Sequence, residues 1–157
     1  MHRRGSGSTW SEFPVTTFHG ACLCGEVQFE YQAPSLWCAH CHCSMCQRAH
    51  GAPVVTWVGV AEQRFRLKSD AALRWYHSSA DAERGFCAQC GSTLFFRSQR
   101  WPGEIHIVRT NIDGEIDVMP SFHVHCESQA PWFSPGDALP RHRDTGDDTP
   151  EAVPPDR

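Results

Sequence analysis

Short runs of alternating apolar and polar positions, separated by turn residues, make up most of this chain. Glu26-Val27-Gln28-Phe29-Glu30-Tyr31 places its apolar side chains at every second position, the period of a half-buried strand. Val54-Val55-Thr56-Trp57-Val58-Gly59-Val60 is β-branched and nearly all apolar, as a central strand would be. Leu73-Arg74-Trp75-Tyr76-His77 and Thr93-Leu94-Phe95-Phe96-Arg97 add two more strands. Glu104-Ile105-His106-Ile107-Val108 and Ser121-Phe122-His123-Val124-His125 alternate again, with Asp113-Gly114 as a turn signal between them. Helix is expected only over Ser44 to Ala49, about two turns. The pattern predicts a mainly β domain of twisted antiparallel strands with one short helix.

The ends break this pattern. Residues 1–13 are rich in glycine, serine and arginine and read as a flexible N-terminal segment. From Ser134 onward proline, aspartate, arginine and threonine replace the apolar positions, so 134–157 reads as a disordered tail that buries too little to offset its ordering entropy. One folded domain is expected over residues 15–133. Hydrophobic content is 40% and formal net charge −4, a balance that gives no general attraction to nucleic acid or anionic lipid. No apolar run approaches the ~20 residues needed to span a bilayer. Arg3 and Arg4 are not followed by the apolar stretch of a secretory leader, so a cytoplasmic protein with reduced thiols is expected.

Nine cysteines change the picture. Their number is odd, and seven sit in tight clusters: Cys22 and Cys24, then Cys41, Cys43 and Cys46, then Cys87 and Cys90. Spacings of one or two residues are those of metal knuckles rather than of a disulfide framework, and at least these seven are expected to be zinc ligands. Cys22-Leu23-Cys24-Gly25 and Cys87-Ala88-Gln89-Cys90-Gly91 both end in Cys-Gly, where glycine allows the left-handed backbone that turns amides toward a bound thiolate. Together they supply four thiolates, a closed tetrahedral site of the structural kind. Cys41-His42-Cys43-Ser44-Met45-Cys46 supplies three more at the start of the short helix, whose amides favour thiolate. Three protein ligands leave zinc a fourth position for water or substrate, the mark of a catalytic site. Spacing leaves one alternative open: Cys38, His40, His42 or His50 could close that position.

Three ordered motifs carry a resemblance. Gly20-Ala21-Cys22-Leu23-Cys24-Gly25-Glu26-Val27, then Cys41-His42-Cys43-Ser44-Met45-Cys46-Gln47-Arg48-Ala49-His50-Gly51-Ala52-Pro53, then Gly85-Phe86-Cys87-Ala88-Gln89-Cys90-Gly91-Ser92-Thr93-Leu94 resemble the glutathione-dependent formaldehyde-activating enzyme (GFA) family, which also contains centromere protein V. The likeness runs from about Phe18 to Trp132, and Pro120-Ser121-Phe122-His123 with Pro131-Trp132 resembles the family's closing motif. It implies a β-tent of several small coiled antiparallel sheets stapled by zinc. It implies two zinc ions per chain, a structural one on Cys22, Cys24, Cys87 and Cys90 and a catalytic one on Cys41, Cys43 and Cys46. It implies carbon–sulfur lyase chemistry that interconverts formaldehyde plus glutathione with S-hydroxymethylglutathione. Cys38 and Cys126 stand outside the motifs.

The mechanism expected on this reading has a small thiol such as glutathione bound at the three-cysteine site and added to a small aldehyde, or released from the adduct in reverse. His42, His50 and His123 are the candidate proton donors, and Arg48, His50 and His123 the candidate substrate-binding residues. Trp57, Trp75, Phe95 and Phe96 are expected in the core and Trp132 as a packing anchor. Two alternatives are a non-enzymatic zinc module that binds a partner, against which the acidic balance and the lack of a basic stripe count, and a zinc-held thiol sensor with Cys38 and Cys126 as its reactive pair.

Overall fold

Alternation along the chain is realised as strands in a computed structural model that describes residues 15–146. In chain order the elements are β1 (Thr17–Ala21), β2 (Gln28–Gln32), β3 (Trp37–Cys41), α1 (Ser44–His50), β4 (Val55–Ala61), β5 (Phe65–Ser69), β6 (Leu73–His77), β7 (Ala82–Cys87), β8 (Thr93–Ser98), β9 (Glu104–Val108) and β10 (His123–Val124). The mainly β class with a single α-helix is as the sequence predicts. Strands β2, β4, β6, β8 and β9 fall where the alternation puts them. β10 is shorter than the run Ser121–His125, because His125 takes a left-handed φ of 55° and ends it. Strands β1, β3, β5 and β7 carry weaker signals. In β3 and β7 both faces are covered, so Trp-Cys-Ala-His-Cys and Ala-Glu-Arg-Gly-Phe-Cys do not alternate cleanly.

The strands form a three-stranded sheet, β1-β2-β5, and a seven-stranded sheet, β10-β3-β4-β9-β8-β7-β6. Neighbours pair antiparallel except β10, which runs parallel to β3 with His123 opposite His40 and Val124 opposite Cys41. Alternation splits the long sheet into two faces. One face, through Cys38, Val58, Val60, Phe95, Ile105 and Ile107, meets Phe29 and Tyr31 of the small sheet in the main core. Its aromatic rings interlock: Phe29 lies edge-on to Phe95 at 5.1 Å, and Phe65 to Phe95 at 5.3 Å. Each fully buried side chain of this kind contributes about 1.5–3 kcal/mol. The opposite face, through Trp37, Ala39, Cys41, Trp57, Arg84, Phe96, Glu104 and His106, lines a cavity.

The C-terminal boundary differs from the sequence reading. Residues 134–146, expected in the disordered tail, form a strap along β10. His123 N–H donates to the Pro140 carbonyl at 2.8 Å, and His142 N–H donates back to the His123 carbonyl at 2.9 Å. Next along, His125 N–H meets the Asp144 carbonyl at 2.7 Å. Arg141 is buried and gives Nη2–H to the Pro135 carbonyl. The strap is held by backbone hydrogen bonds and polar side chains rather than by apolar burial, so its composition misleads. Residues 1–13 and the tail beyond 146 lie outside the described residues. Among the described residues no helix is long and apolar enough to cross a membrane.

Candidate metal centres and the cavity above one of them

The turn after β1 carries Cys22 and Cys24, Cys87 ends β7, and the turn from β7 to β8 carries Cys90. The long-range packing of the small sheet on the large one brings the two turns together. All four sulfurs lie within 4.8 Å of one another, with Cys22 to Cys24 at 3.6 Å and Cys24 to Cys87 at 3.7 Å. A tetrahedral ion with metal–sulfur bonds of about 2.3 Å sets its sulfurs about 3.8 Å apart. The donor set and the spacing therefore fit a soft divalent ion, zinc above all. The knuckle glycines do what their position requires: Gly25 has φ 82° and Gly91 φ 77°. Val27 N–H donates to the Cys22 sulfur at 3.3 Å. The Cys90 thiol is drawn down to about 5, first by the Ser92 hydroxyl and then by the Ser92 amide.

Cys41 ends β3, Cys43 precedes α1, and Cys46 lies in its first turn. The Cys41 and Cys46 sulfurs are 3.7 Å apart, and Cys43 exchanges hydrogen bonds with both. Contacts from Cys41 and then Cys46 pull the Cys43 thiol well below its ordinary value, and the Met45 and Cys46 amides at the helix start assist. The same contacts, from Cys43 first, push Cys41 well above. The trio thus favours one shared thiolate even before any ion is considered. It is looser than the first group, which among the described residues is the set that closes within 4.8 Å.

All three of these cysteines line the cavity, whose volume is about 370 Å³. Its walls are aromatic, from Trp37, Trp57, Phe96, Trp101 and Phe122, and the strap closes one side with Thr145 and Gly146. Arg84 of β7 reaches the trio from below. It is buried, gives Nη1–H to the Cys46 sulfur at 3.5 Å and lies over the Phe96 ring at 5.1 Å. Among the described residues it has no carboxylate partner, so the thiols supply the negative charge that a buried guanidinium needs.

Residues that spacing offered as a fourth ligand lie elsewhere. Cys38 is 0% exposed and sits in the main core, on the face of β3 opposite Cys41, because strand side chains alternate. Burial pushes its thiol up to about 11. His40 shares that face and meets the Thr56 hydroxyl through Nδ1 at 2.8 Å. His42 Nε2 meets His123 Nδ1 at 2.8 Å, and His123 Nε2 meets Asp137 of the strap at 3.0 Å. That chain, buried at its two histidines and exposed at Asp137, ties the strap to the loop between Cys41 and Cys43. Hence His42 and His123, expected as proton donors, and His123, expected to bind substrate, serve the packing behind the loop and do not line the cavity. His50 sits edge-on to Trp57 at 5.5 Å, also outside the cavity lining, and burial lowers it to about 4. Arg48 is exposed on the outer side of α1. Trp132, expected as an anchor, is 79% exposed.

The cavity's own polar groups escaped the sequence reading: Glu104 and His106 lie inside a strand that read as ordinary pleat, and Arg84 lies in β7, which did not read as a strand. Glu104 and His106 are two residues apart on β9 and so share a face, which was the one available signal. Trp57 is buried in the second apolar cluster, as expected, with Phe96 packed against it, and both also wall the cavity.

These features can be set beside known proteins. The sequence model of a family described as glutathione-dependent formaldehyde-activating enzyme matches residues 17–128. A Halomonas elongata protein provisionally named glutathione-dependent formaldehyde-activating enzyme is 27% identical over 129 residues, 72% of this chain and 77% of that one. A Schizosaccharomyces pombe protein named an uncharacterized lyase is 32% identical over 81 residues, 50% of this chain and 56% of that one. The crystal structure of a Rhodobacter sphaeroides protein shares the fold, with a TM-score of 0.52 at 23% identity over 64% of this chain and 99% of that one. The matched span begins at the first residue of β1, ends past β10 and takes in both cysteine groups, and the chain belongs to the glutathione-dependent formaldehyde-activating enzyme family.

Proposed function

We propose that this protein is a zinc-dependent carbon–sulfur lyase that makes or breaks the bond between a small thiol and a small aldehyde, as in S-hydroxymethylglutathione. One observation carries the reading: Cys41, Cys43 and Cys46 open together onto one cavity, while Cys38, His40 and His42 point away from it. The family and the lyase name of a relative support it. Cys22, Cys24, Cys87 and Cys90 would hold a structural zinc, and Cys41, Cys43 and Cys46 a second one with a free position. Zinc at the second site would lower the pKa of a substrate thiol so that it reacts as thiolate at neutral pH.

The chain's own residues do the rest. Arg84 offsets the negative charge gathered by the three cysteines. The aromatic walls exclude water around the reacting carbon, and the closed shape holds thiol and aldehyde within reach of each other. The thiol-sensor alternative finds no support in Cys38, whose thiol is buried and held protonated.

The test is a count of zinc per chain by native mass spectrometry in the wild type and in Cys38→Ala, followed by turnover of glutathione with several aldehydes against the spontaneous rate. Two zinc ions in both proteins, and acceleration, are expected. Loss of one ion in Cys38→Ala would show a closed cluster and end the open-site reading; no acceleration would end the lyase assignment.

A further inference from the structure

We infer that His106, oriented by Glu104, is the general acid and base of this cavity; the assignment rests on the thiol–adduct reading above. A bare thiolate can attack an aldehyde carbon, but the oxygen that becomes a hydroxyl must gain a proton, and must lose it when the adduct breaks down. Cysteines apart, the cavity offers Arg84, Glu104, His106, His125 and Thr145. A guanidinium is not deprotonated in proteins, and a threonine hydroxyl is a far weaker acid than an imidazolium. His125 is turned to the strap, its Nδ1 3.2 Å from Asp144.

His106 is built differently. Its ring is caged edge-on to Trp37 at 4.7 Å, with Trp101 at 5.4 Å and Phe96 at 5.6 Å. Nε2 lies 3.1 Å from Glu104 Oε2, and the Trp37 indole N–H donates to that same oxygen at 3.2 Å. Two donors converge on the carboxylate, so it accepts and the neutral ring carries its proton on Nε2. Nδ1 then presents a lone pair and makes no hydrogen bond among the described residues. A carboxylate behind an imidazole sets the tautomer and stabilises the imidazolium that forms when the other nitrogen takes a proton. The pair comes from one strand, whose intervening Ile105 and following Ile107 are locked in the core, so its geometry is rigid.

In adduct breakdown, Nδ1 takes the hydroxyl proton, and as the freed O–H electron pair becomes the second C–O bond the C–S bond breaks, its electron pair leaving on sulfur. In adduct formation a sulfur lone pair adds to the aldehyde carbon, and the imidazolium returns the proton to oxygen. Neither direction changes oxidation state, and no further reactant is needed.

The test uses zinc-loaded full-length protein and the adduct formed from glutathione and formaldehyde, with His106→Asn and Glu104→Gln. Aldehyde release gives kcat and KM, native mass spectrometry counts zinc, and ¹⁵N spectra of the histidine rings report tautomer and contact. His106→Asn is expected to lower kcat by about 10²- to 10⁴-fold with KM and zinc count little changed. Glu104→Gln is expected to lower kcat less and to move part of the ring proton to Nδ1. The adduct should shift the wild-type Nδ1 signal. A merely structural role would cost zinc or folding and leave the tautomer alone. Wild-type turnover with kcat retained in His106→Asn overturns this assignment while leaving the lyase reading intact. A wild type with no acceleration over the spontaneous rate overturns the lyase reading, and the acid–base role with it.

Discussion

Gly59 is the residue through which the β4 backbone sets the cavity wall, and Gly59→Ala tests that claim. The position is ordinary extended strand opposite Trp37 and His106. Backbone entropy alone would make alanine stabilising, by roughly 0.4–1 kcal/mol. The structure predicts the opposite sign. A Cβ at this position would sit 2.2 Å from Trp37 Cε2 and 2.3 Å from Nε1, and both atoms belong to a rigid ring rather than the end of a flexible chain. The indole must swing out. Overpacking of this kind costs about 1–3 kcal/mol. Losing the Nε1–H bond to the Glu104 carboxylate adds about 1.5–3 kcal/mol if that oxygen finds no replacement donor. Part of the second penalty is recovered from water, since Glu104 is only partly buried. The net expectation is a loss of about 2–4 kcal/mol. For a domain of this size that lowers the midpoint of thermal unfolding by roughly 8–16 °C. The measurement is thermal unfolding by circular dichroism at fixed excess zinc, with tryptophan fluorescence as a second probe. KM for the adduct should rise, because one wall of the cavity has moved. A variant as stable as the wild type, with unchanged fluorescence, would refute the argument.

Three further outcomes are expected. Arg84→Met removes the buried cation beside Cys46 and should weaken the zinc proposed at the three-cysteine site by about 10- to 100-fold in chelator competition, the worth of one charge-assisted hydrogen bond, while the proposed four-cysteine site keeps its affinity. The bond from His106 first, and that from Trp37, hold Glu104 below the ordinary carboxylate value. This contribution is present above the unfolded pKa and is lost as pH falls through the depressed folded one, so Glu104→Gln should flatten that acid limb of urea stability. Truncation after Phe133 removes the carbonyl of Pro140 and the Asp137 carboxylate from His123, and should raise the amide exchange rates of His123 and His125 by at least tenfold; unchanged protection would show that the strap is dispensable.

Cysteine spacing was the most legible feature of this chain. The knuckle glycines, the pairing of the turns at 22–24 and 87–90, and the strands with clean alternation all follow from local rules: backbone handedness, ligand reach and period two. Tertiary structure decided what local rules leave degenerate. Cys38 and Cys41 are three residues apart, a spacing that suits a knuckle, yet on a strand they face opposite ways, and only the placement of β3 in the long sheet makes one core and the other cavity. His123 resembled a site residue, but the strap behind it turns it into packing, held by polar contacts that composition cannot announce. Glu104 and His106 looked like the outer face of an amphipathic strand. They became the polar heart of the cavity because β9 lies between β4 and β8 and its second face is roofed by Trp37 and Trp101. The sequence determined which cysteines cluster at metal-ligand spacing; which of them open onto the cavity, and which side chains face them there, was decided by the two faces of one sheet.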